Sequence, residues 1–561
     1  MTRRAHPLTI VRLAGDERAM GAQHGEITRA LGDYEDALAF YPGLPERILS
    51  GGHRARGRGL ALGLMRPLLE RGLVHLERAR PAALAARTRD FLRALGRPAR
   101  DARFVMVLDL VQNVIGVLAR AGVAPDVRLA ARETAAAFPG ACSSFAAWGE
   151  ASEDGRLIHG RNFDLPGLGI WERRPEVVFN TPRDGLRYGF VATRGADVPG
   201  VTAFNEAGIT VTAHTRFHRA VRFDGRGVVD LGHLIVKGAR TLADAIAIAT
   251  AAPVASSWGL FVSSARERSA VALEIHGGRV AVVTPRGDWH TCTNRYRSPV
   301  MQHGEIAPSP AWIRYSEGRQ ISMERAFGRG GRINVAQAKV LLASREAGDS
   351  PGWERATGDT VCQSISIQSV VVDPEREVIH VGCGDAPTSL GPWQAVPWRW
   401  SDTPGHERVA VADEPGTDGW PGFEAFMEAA RLEGDRAPLE RVDQALADAL
   451  RAAPDDPSYL HLAGGSALRL GRSDEAHERF EAAITHERSA FRRGELALWA
   501  MRAASAAGRS ALAESHRRAL VATTEPHLAP AREAARRGVD RRDARAYRDL
   551  AADFQLLTLA L

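Results

Sequence analysis

Apolar residues recur every three or four positions along most of residues 1–140. The spacing is clear in "RLAGDERAMGAQHGEITRALGDYEDALAF", residues 12–40, and in "FVMVLDLVQNVIGVLARAG", residues 104–122. Since a helix has about 3.6 residues per turn, this spacing gives each helix one apolar face. Residues 1–141 are therefore predicted to be a helical N-terminal segment.

The apolar period shortens to two at Cys142. Runs such as "GRLIHGRNFD" and "QSISIQSVVVDPEREVIHVGCG" are short and β-prone, and several are joined by hairpin turns, for example at 205–208 and 373–376. Helical patterns such as "VVDLGHLIVKGARTLADAIAIATAAP" lie between these runs. Antiparallel strands segregated from paired helices predict an α+β core, which we place at residues 142–400.

A stretch rich in Pro, Gly and acidic residues follows the core and predicts a linker over residues 401–423. Beyond it, residues 424–561 show only helical patterns. Gly508 and Ala513 repeat Gly471 and Ala476 at an offset of 37 residues, close to the usual 34 of tetratricopeptide (TPR) repeats. This region is predicted to form two or three TPR-like helical hairpins, with a simple α-helical bundle as the alternative.

Composition and charge argue against several classes of protein. The chain has 561 residues, of which 45% are hydrophobic and 25% charged, and its formal net charge is +6. This is an ordinary globular composition with room for several domains. Arginines are interleaved with nearly equal acid, so no basic stripe for nucleic acid is predicted. The sequence shows neither an apolar signal segment nor a membrane-spanning stretch, which predicts a cytoplasmic protein.

The cysteines and histidines predict no metal centre, and no cofactor is expected. No paired spacing joins the four cysteines, Cys142, Cys292, Cys362 and Cys383. This disfavours both a zinc site and a disulfide framework. His214 and His218 end a predicted strand, where a spacing of four residues does not place them on one helical face. No Walker motif or dinucleotide-binding glycine motif follows a suitable strand.

Cys142 has an unusual position, because it starts the first predicted strand and follows the break "AAAFPGA". A thiol there can attack the carbonyl group of the preceding residue, cut the chain and free its own α-amine. That amine has a pKa near 8 and accepts the thiol proton, so one residue supplies both nucleophile and base. No histidine partner is then required.

An ordered set of motifs around Cys142 resembles one known family. "CSSFAAWG" starts at Cys142, "GRNFD" ends at Asp164, and "TN" and "SEGR" follow at 293–294 and 316–319. Together with "AMGAQHGE" near the N-terminus, they are similar to the acyl-coenzyme A:6-aminopenicillanic acid acyltransferase family of N-terminal-nucleophile (Ntn) hydrolases. The resemblance covers residues 8–390. It implies an αββα sandwich, an inactive precursor and autoproteolysis before the nucleophile.

The resemblance also implies the catalytic residues. Cys142 would be the nucleophile, the chain would be cut between Ala141 and Cys142, and the freed α-amine would be the general base. Asp164 would hold the amine or thiol, and Arg161 would fix the Asp164 carboxylate through two hydrogen bonds. Ala141 departs from the glycine of the penicillin-forming members, but it is small enough to allow cleavage.

Three further residues complete the implied site. Asn294 would donate its side-chain amide to the oxyanion of the tetrahedral intermediate. Arg319 would orient the cluster or bind a substrate carboxylate. Asn205 is a candidate substrate-binding residue, although turn formation also explains its place beside a hairpin turn.

The predicted function is cleavage or transfer of an acyl group at an amide bond through a Cys142 thioester. The partners would be a small-molecule or peptide acyl amide, with an acyl-CoA donor and a protein bound by the repeat region as further candidates. One alternative is a papain-like hydrolase in which His290 or His214 serves Cys142 without cleavage of the chain. The other is a scaffold that combines TPR-like repeats with an inert core.

Overall fold

The computed structural model describes residues 2–40, 58–98, 101, 105–120, 141–165, 167–306, 310–356, 358–415, 420–435 and 437–537. Residues 135–140 of the break before Cys142, and residues 538–561 of the predicted repeat region, lie outside the described part. The strands are β1 (Thr2–Arg3), β2 (Leu8–Gly15), β3 (Ala141–Gly149), β4 (Gly155–Asp164), β5 (Pro175–Pro182), β6 (Tyr188–Thr193), β7 (Thr202–Asn205), β8 (Ile209–Thr215), β9 (Ser257–Ser264), β10 (Ser269–His276), β11 (Arg279–Val283), β12 (Trp289–Cys292), β13 (Ser366–Asp373), β14 (Val378–Gly382), β15 (Trp393–Pro397), β16 (Gly405–Val409) and β17 (Glu414–Pro415). The helices are α1 (Glu17–Leu31), α2 (Arg58–Arg78), α3 (Ala82–Ala94), α4 (Val107–Arg120), α5 (Val228–Gly238), α6 (Leu242–Thr250), α7 (Pro299–Gln302), α8 (Pro310–Gly328), α9 (Val335–Leu342), α10 (Phe423–Gly434), α11 (Leu439–Ala452), α12 (Pro457–Arg469), α13 (Ser473–His486), α14 (Ala490–Ala506), α15 (Ser510–Val521) and α16 (Ala529–Arg536).

The larger of two central sheets has nine strands in the order β11–β10–β9–β8–β7–β6–β5–β2–β16. β2 and β5 are parallel, and β2 and β16 are antiparallel. β2 lies in the segment predicted to be helical, and β16 lies in the predicted linker, so the sheet extends beyond residues 142–400 at both ends. The prediction missed β2 because "LTIVRLAG" is a short apolar run, largely buried on both faces, that does not alternate.

The smaller sheet has six antiparallel strands in the order β12–β3–β4–β13–β14–β15. β3, which carries Cys142, therefore lies between β12 and β4. The two sheets pack face to face, since Leu8 and Phe179 of the larger sheet share a buried apolar cluster with Val370 and Val372 of the smaller one.

Helices cover the outer face of each sheet. α1, α5 and α6 pack on the nine-stranded sheet, and α8 and α9 pack on the six-stranded sheet. The core therefore has four layers, in the order helices, sheet, sheet and helices, and the predicted α+β class is confirmed. No helix in the described part of the chain has both the length and the apolar character needed to cross a bilayer.

Beyond residue 420, α10 to α16 pack each against the next in sequence. Gly471 and Gly508 have φ angles of 81° and 77° at the turns that precede α13 and α15, a conformation that glycine adopts at little cost. A Cβ at Gly464 would lie 2.7 Å from the Phe480 ring. Repeated helical hairpins are thus present, while the more specific TPR assignment stays a prediction.

The N-terminal helices α1 and α3 touch backbone to backbone at two glycines. A Cβ at Gly21 would lie 2.3 Å from the Arg87 carbonyl oxygen, and a Cβ at Gly25 would lie 2.3 Å from that of Phe91. Arg87 also donates two hydrogen bonds of 2.8 Å to the Asp197 carboxylate, in the loop between β6 and β7. This buried ion pair ties the N-terminal helices to the core.

Gly25→Ala is expected to destabilise the protein by about 1–3 kcal/mol, because the added methyl group overpacks the contact with α3. Urea unfolding followed by circular dichroism measures the change. Gly287→Ala is the matched control, since a Cβ there has no neighbour within 4 Å. Equal stability of the two variants would contradict the backbone contact.

Candidate active site

Cys142 lies on β3, just beyond the point where the neighbouring strand β12 ends. The last residue of β12, Cys292, pairs with Ser144, so Asn294 stands opposite Cys142 beyond the last pair of the ladder. The Asn294 side chain replaces the missing strand, and its Oδ1 accepts a hydrogen bond of 2.9 Å from the Cys142 backbone N–H. Arg319 Nη1 donates a hydrogen bond of 2.7 Å to the Cys142 carbonyl oxygen. Side chains therefore hold both backbone groups of the cysteine.

Arg319, on α8, organises this cluster from the outer face of the sheet. Its Nη2 donates to Asn294 Oδ1 at 2.7 Å, and its Nη1 donates to Ser143 Oγ at 2.9 Å. Asn294 Nδ2 donates to the Thr215 carbonyl oxygen at 2.9 Å. The contact between Asn294 and Cys142 is thus made by the amide oxygen, whereas the predicted oxyanion role uses the amide nitrogen.

The Cys142 thiol is buried beside a guanidinium group. Its Sγ lies 3.6 Å from Arg161 Nη2, and the residue is 1% exposed. Burial raises the pKa of the Cys142 thiol, and the Arg161 charge opposes this effect by favouring the thiolate. Arg161 also donates to the carbonyl oxygens of Val201 and Ala213 and to Thr202 Oγ1. These acceptors fix the guanidinium group beside the sulfur.

Asp164 does not form the predicted ion pair with Arg161. Side chains alternate along a strand, so residues three apart on β4 point to opposite faces of the sheet. The Asp164 carboxylate instead accepts a hydrogen bond of 2.6 Å from Ser366 Oγ. Burial raises the pKa of Asp164 to about 7, against the opposing charge of Arg319. The group is therefore largely protonated below neutral pH.

The Asn205 side chain supports a turn and does not belong to the cluster around Cys142. Its Nδ2 donates to the carbonyl oxygens of Val236 and Ala239 at 2.9 and 2.8 Å, at the end of α5. Its Oδ1 accepts hydrogen bonds from the N–H groups of Ala207 and Ile209. These bonds shape the turn between β7 and β8 and fasten it to α5, so the turn-forming role describes Asn205 better than substrate binding does.

The histidines of the papain-like alternative have other partners. His214 Nε2 lies 3.0 Å from Ser144 Oγ, and His290 Nε2 lies 3.2 Å from the Val283 carbonyl oxygen. Burial lowers the pKa of His290 to about 4 and holds that of His214 well below its usual range. Among the described residues, neither ring forms a hydrogen bond with Cys142, and the lowered pKa values make both rings weak bases.

An apolar pocket adjoins the cluster. Its lining is almost entirely apolar, and it is partly open to solvent. Val201, Ala213 and Thr215 line it, and the carbonyl groups of these residues hold the guanidinium and amide groups described above. Phe163, which pairs with Cys142 across β3 and β4, also lines it. Cys142 is not itself a lining residue, so a group bound in this pocket would lie against residues that surround Cys142.

The N-terminal segment builds part of the pocket. Val105, just before the start of α4, and Leu108, in its first turn, line it. Asp109 fixes α4 in place, because its Oδ1 accepts hydrogen bonds of 2.5 Å from Ser256 Oγ and 2.8 Å from Trp258 Nε1. Trp258 itself lines the pocket.

Sequence reasoning missed the hydroxyl groups that support the cluster. Thr202 holds Arg161, and Ser366 holds Asp164. Isolated Ser and Thr residues gave no signal, because their roles depend on the register between distant strands. Among the described residues, no group of three metal-ligand side chains surrounds Cys142.

Comparisons with known proteins give a structural match but no sequence match. No family profile and no curated protein matches the chain. Among solved structures, the chain is similar to a Caenorhabditis elegans ortholog of N-acylethanolamine-hydrolyzing acid amidase (NAAA). The TM-score is 0.31 and the identity 15%, over 42% of this chain and 93% of that one.

Asp109→Asn is expected to gain stability relative to wild type as the pH rises from about 4 to 7. Burial raises the pKa of Asp109 to about 7. The folded state therefore keeps a proton that the unfolded state has lost, and wild-type stability falls over this range. The variant lacks this titration. The difference reaches a few kcal/mol at most, since one pKa unit corresponds to about 1.4 kcal/mol.

Urea unfolding at several pH values measures this difference. Asp402→Asn is the control, because Asp402 is exposed and should follow the wild-type curve. A stability difference between Asp109→Asn and wild type that stays constant with pH would show that Asp109 does not titrate in this range.

Proposed function

We propose that the protein is an Ntn-type cysteine amidase that cuts its own chain before Cys142 and then cleaves amides of apolar acyl groups. The setting of Cys142 carries the proposal, because its backbone nitrogen and its thiol each have a fixed partner. The nitrogen faces Asn294 Oδ1, and the thiol faces Arg161 Nη2. The two candidate histidines are engaged elsewhere, so an α-amine is the base that this site offers. The four-layered core and the ordered motifs support the same conclusion.

Self-cleavage would begin with attack of Cys142 Sγ on the carbonyl carbon of Ala141. The acyl group would move from nitrogen to sulfur, which breaks the peptide bond, forms a thioester and frees the Cys142 amine. Water would then hydrolyse the thioester and leave Ala141 with a free carboxylate. Asn294 Oδ1 already accepts a hydrogen bond from the Cys142 nitrogen. It would hold the same nitrogen as an amine.

In turnover, the neutral amine would take the thiol proton while Sγ attacks the substrate carbonyl carbon. An α-amine has a pKa near 8, so it is an effective base close to neutral pH. Arg161 would stabilise negative charge on the sulfur and on the nearby carbonyl oxygen. The amine would then pass the proton to the leaving nitrogen. Water or a second amine would remove the acyl group, so hydrolysis and acyl transfer would share one thioester, whether it forms from an amide or an acyl-CoA donor.

The pocket supports an apolar acyl group as the part of the substrate that is recognised. Aromatic rings of Phe163, Trp171 and Trp258 and aliphatic side chains form most of its wall. Each buried methylene group stabilises a complex by about 0.8 kcal/mol. Affinity should therefore rise with the length of the acyl chain until the pocket is full.

Intact mass spectrometry of the purified protein is expected to show two chains, residues 1–141 and 142–561, rather than one of 561 residues. Cys142→Ala removes the nucleophile and should give one uncut, inactive chain. Cys292→Ala is the matched control, because Cys292 is a buried cysteine on the adjacent strand, and it should be cut normally. An active wild-type protein that remains uncut would contradict the proposal.

Ala213→Phe is expected to lower kcat/KM by about tenfold or more for a long-chain acyl amide, because the added ring occupies the pocket. For the matching acetyl amide, the change should stay below about threefold. Ala395→Phe is the control, since Ala395 is exposed on β15, and it should leave both substrates unaffected. Equal losses for both substrates would show that the pocket does not bind the acyl chain.

A further inference from the structure

Three side chains capable of binding a metal ion converge in the C-terminal helical region, far along the chain from Cys142. His477 and Glu481 belong to α13, and His516 belongs to α15. The two Nε2 atoms of the histidines are 3.1 Å apart, and His516 Nε2 lies 3.4 Å from Glu481 Oε1. One ligand atom from each residue fits within a group whose members lie no more than 4.8 Å apart.

These distances suit a tetrahedral ion. Two nitrogen ligands bound to Zn²⁺ at about 2.05 Å with a tetrahedral angle lie about 3.3 Å apart. The observed separations of 3.1 and 3.4 Å fall on either side of that value. These two pairs would need only small shifts to take up an ion, and the third pair, His477 and Glu481, lies within 4.8 Å.

The geometry of the two facing imidazole rings also suits a metal. At 3.1 Å, one Nε2 donates its proton to the lone pair of the other. A divalent ion would take a lone pair from each Nε2 once the donating ring moves its proton to Nδ1, so both imidazoles would bind as neutral ligands with no net loss of a proton. Imidazole nitrogens with one carboxylate select zinc and similar transition metals over calcium or magnesium.

The location leaves one side of the site open. His477 is 4% exposed, while the Glu481 side chain is 47% exposed at the rim. His477 and Glu481 are four residues apart, so they lie on one face of α13. Water would complete the coordination from the exposed side.

We propose that His477, Glu481 and His516 bind one Zn²⁺ ion that links α13 to α15. These helices flank α14 in sequence. Phe491 of α14 packs against Tyr315 of α8, the helix that carries Arg319. The ion would stabilise the helical region on which α8 rests, and its role would be structural. This proposal does not depend on the chemistry of Cys142.

Isothermal calorimetry of the full chain, treated with EDTA, dialysed and titrated with ZnCl₂, tests the proposal. We expect one site per chain with a Kd of about 1 μM or less. His516→Gln should weaken binding by about a hundredfold or more, since it removes a nitrogen ligand. His486→Gln is the matched control, because His486 lies at the end of the same helix as His477 but outside the cluster. It should bind like wild type.

Cobalt(II) spectra and thermal unfolding give independent readouts. Co²⁺ should produce the visible bands of a four-coordinate site in wild type and His486→Gln but not in His516→Gln. Excess Zn²⁺ should raise the unfolding temperature by several degrees in the same two proteins. Glu481→Gln, at an exposed position, provides a further variant if a histidine variant fails to fold, and it should bind Zn²⁺ more weakly.

Three outcomes would overturn the proposal. One is the absence of saturable binding, which would leave the two histidines as a simple hydrogen-bonded pair. Another is equal binding by His516→Gln and His486→Gln. The third is a thiolate-to-cobalt charge-transfer band that persists in His516→Gln, which would place the ion at a cysteine.

Discussion

The fold around Cys142 depends on two side chains, Asn294 and Arg319, which supply the hydrogen bonds that β12 would make if it extended further. β12 stops at Cys292, so the N–H and C=O groups of Cys142 lack a strand partner in a buried position. Asn294 and Arg319 satisfy both groups. An unsatisfied buried polar group costs about 1–3 kcal/mol, so these residues stabilise the fold as well as the site. In the proposed cleavage, a side-chain acceptor would also let the Cys142 nitrogen change from amide to amine without a rearrangement of the sheet.

The pocket is assembled from residues on both sides of Cys142 in the chain. Leu108 of α4 forms part of the wall, and Ala196 and Val198 form another part. Asp197 lies between these two residues and is held by Arg87 of α3. Removal of one partner from a buried ion pair costs about 3–5 kcal/mol. The N-terminal helices thus contribute to the pocket, and the protein would need them after the proposed cut.

The local pattern predicted the position of Cys142, because the change of period marks the start of its strand. Asn294 was implied only by the resemblance of the motifs to the Ntn acyltransferase family. β16 was missed because "GHERV" is a polar edge strand that does not resemble a core strand. The predicted contact between Arg161 and Asp164 conflicts with their place on one strand. Side chains alternate along a strand, so residues three apart point to opposite faces of the sheet. The partners of Asn294 depend on the register of distant strands, which no local pattern encodes.

The position of β2 determines how the protein would recover from unfolding. β2 pairs with β5 on one side and β16 on the other, and both follow Cys142 in the chain. In an uncut molecule these pairings form within one chain. After the proposed cut, an unfolded molecule would regain β2 only by meeting the other fragment, so refolding would depend on protein concentration. The lifetime of the mature enzyme would then be set by the height of its unfolding barrier.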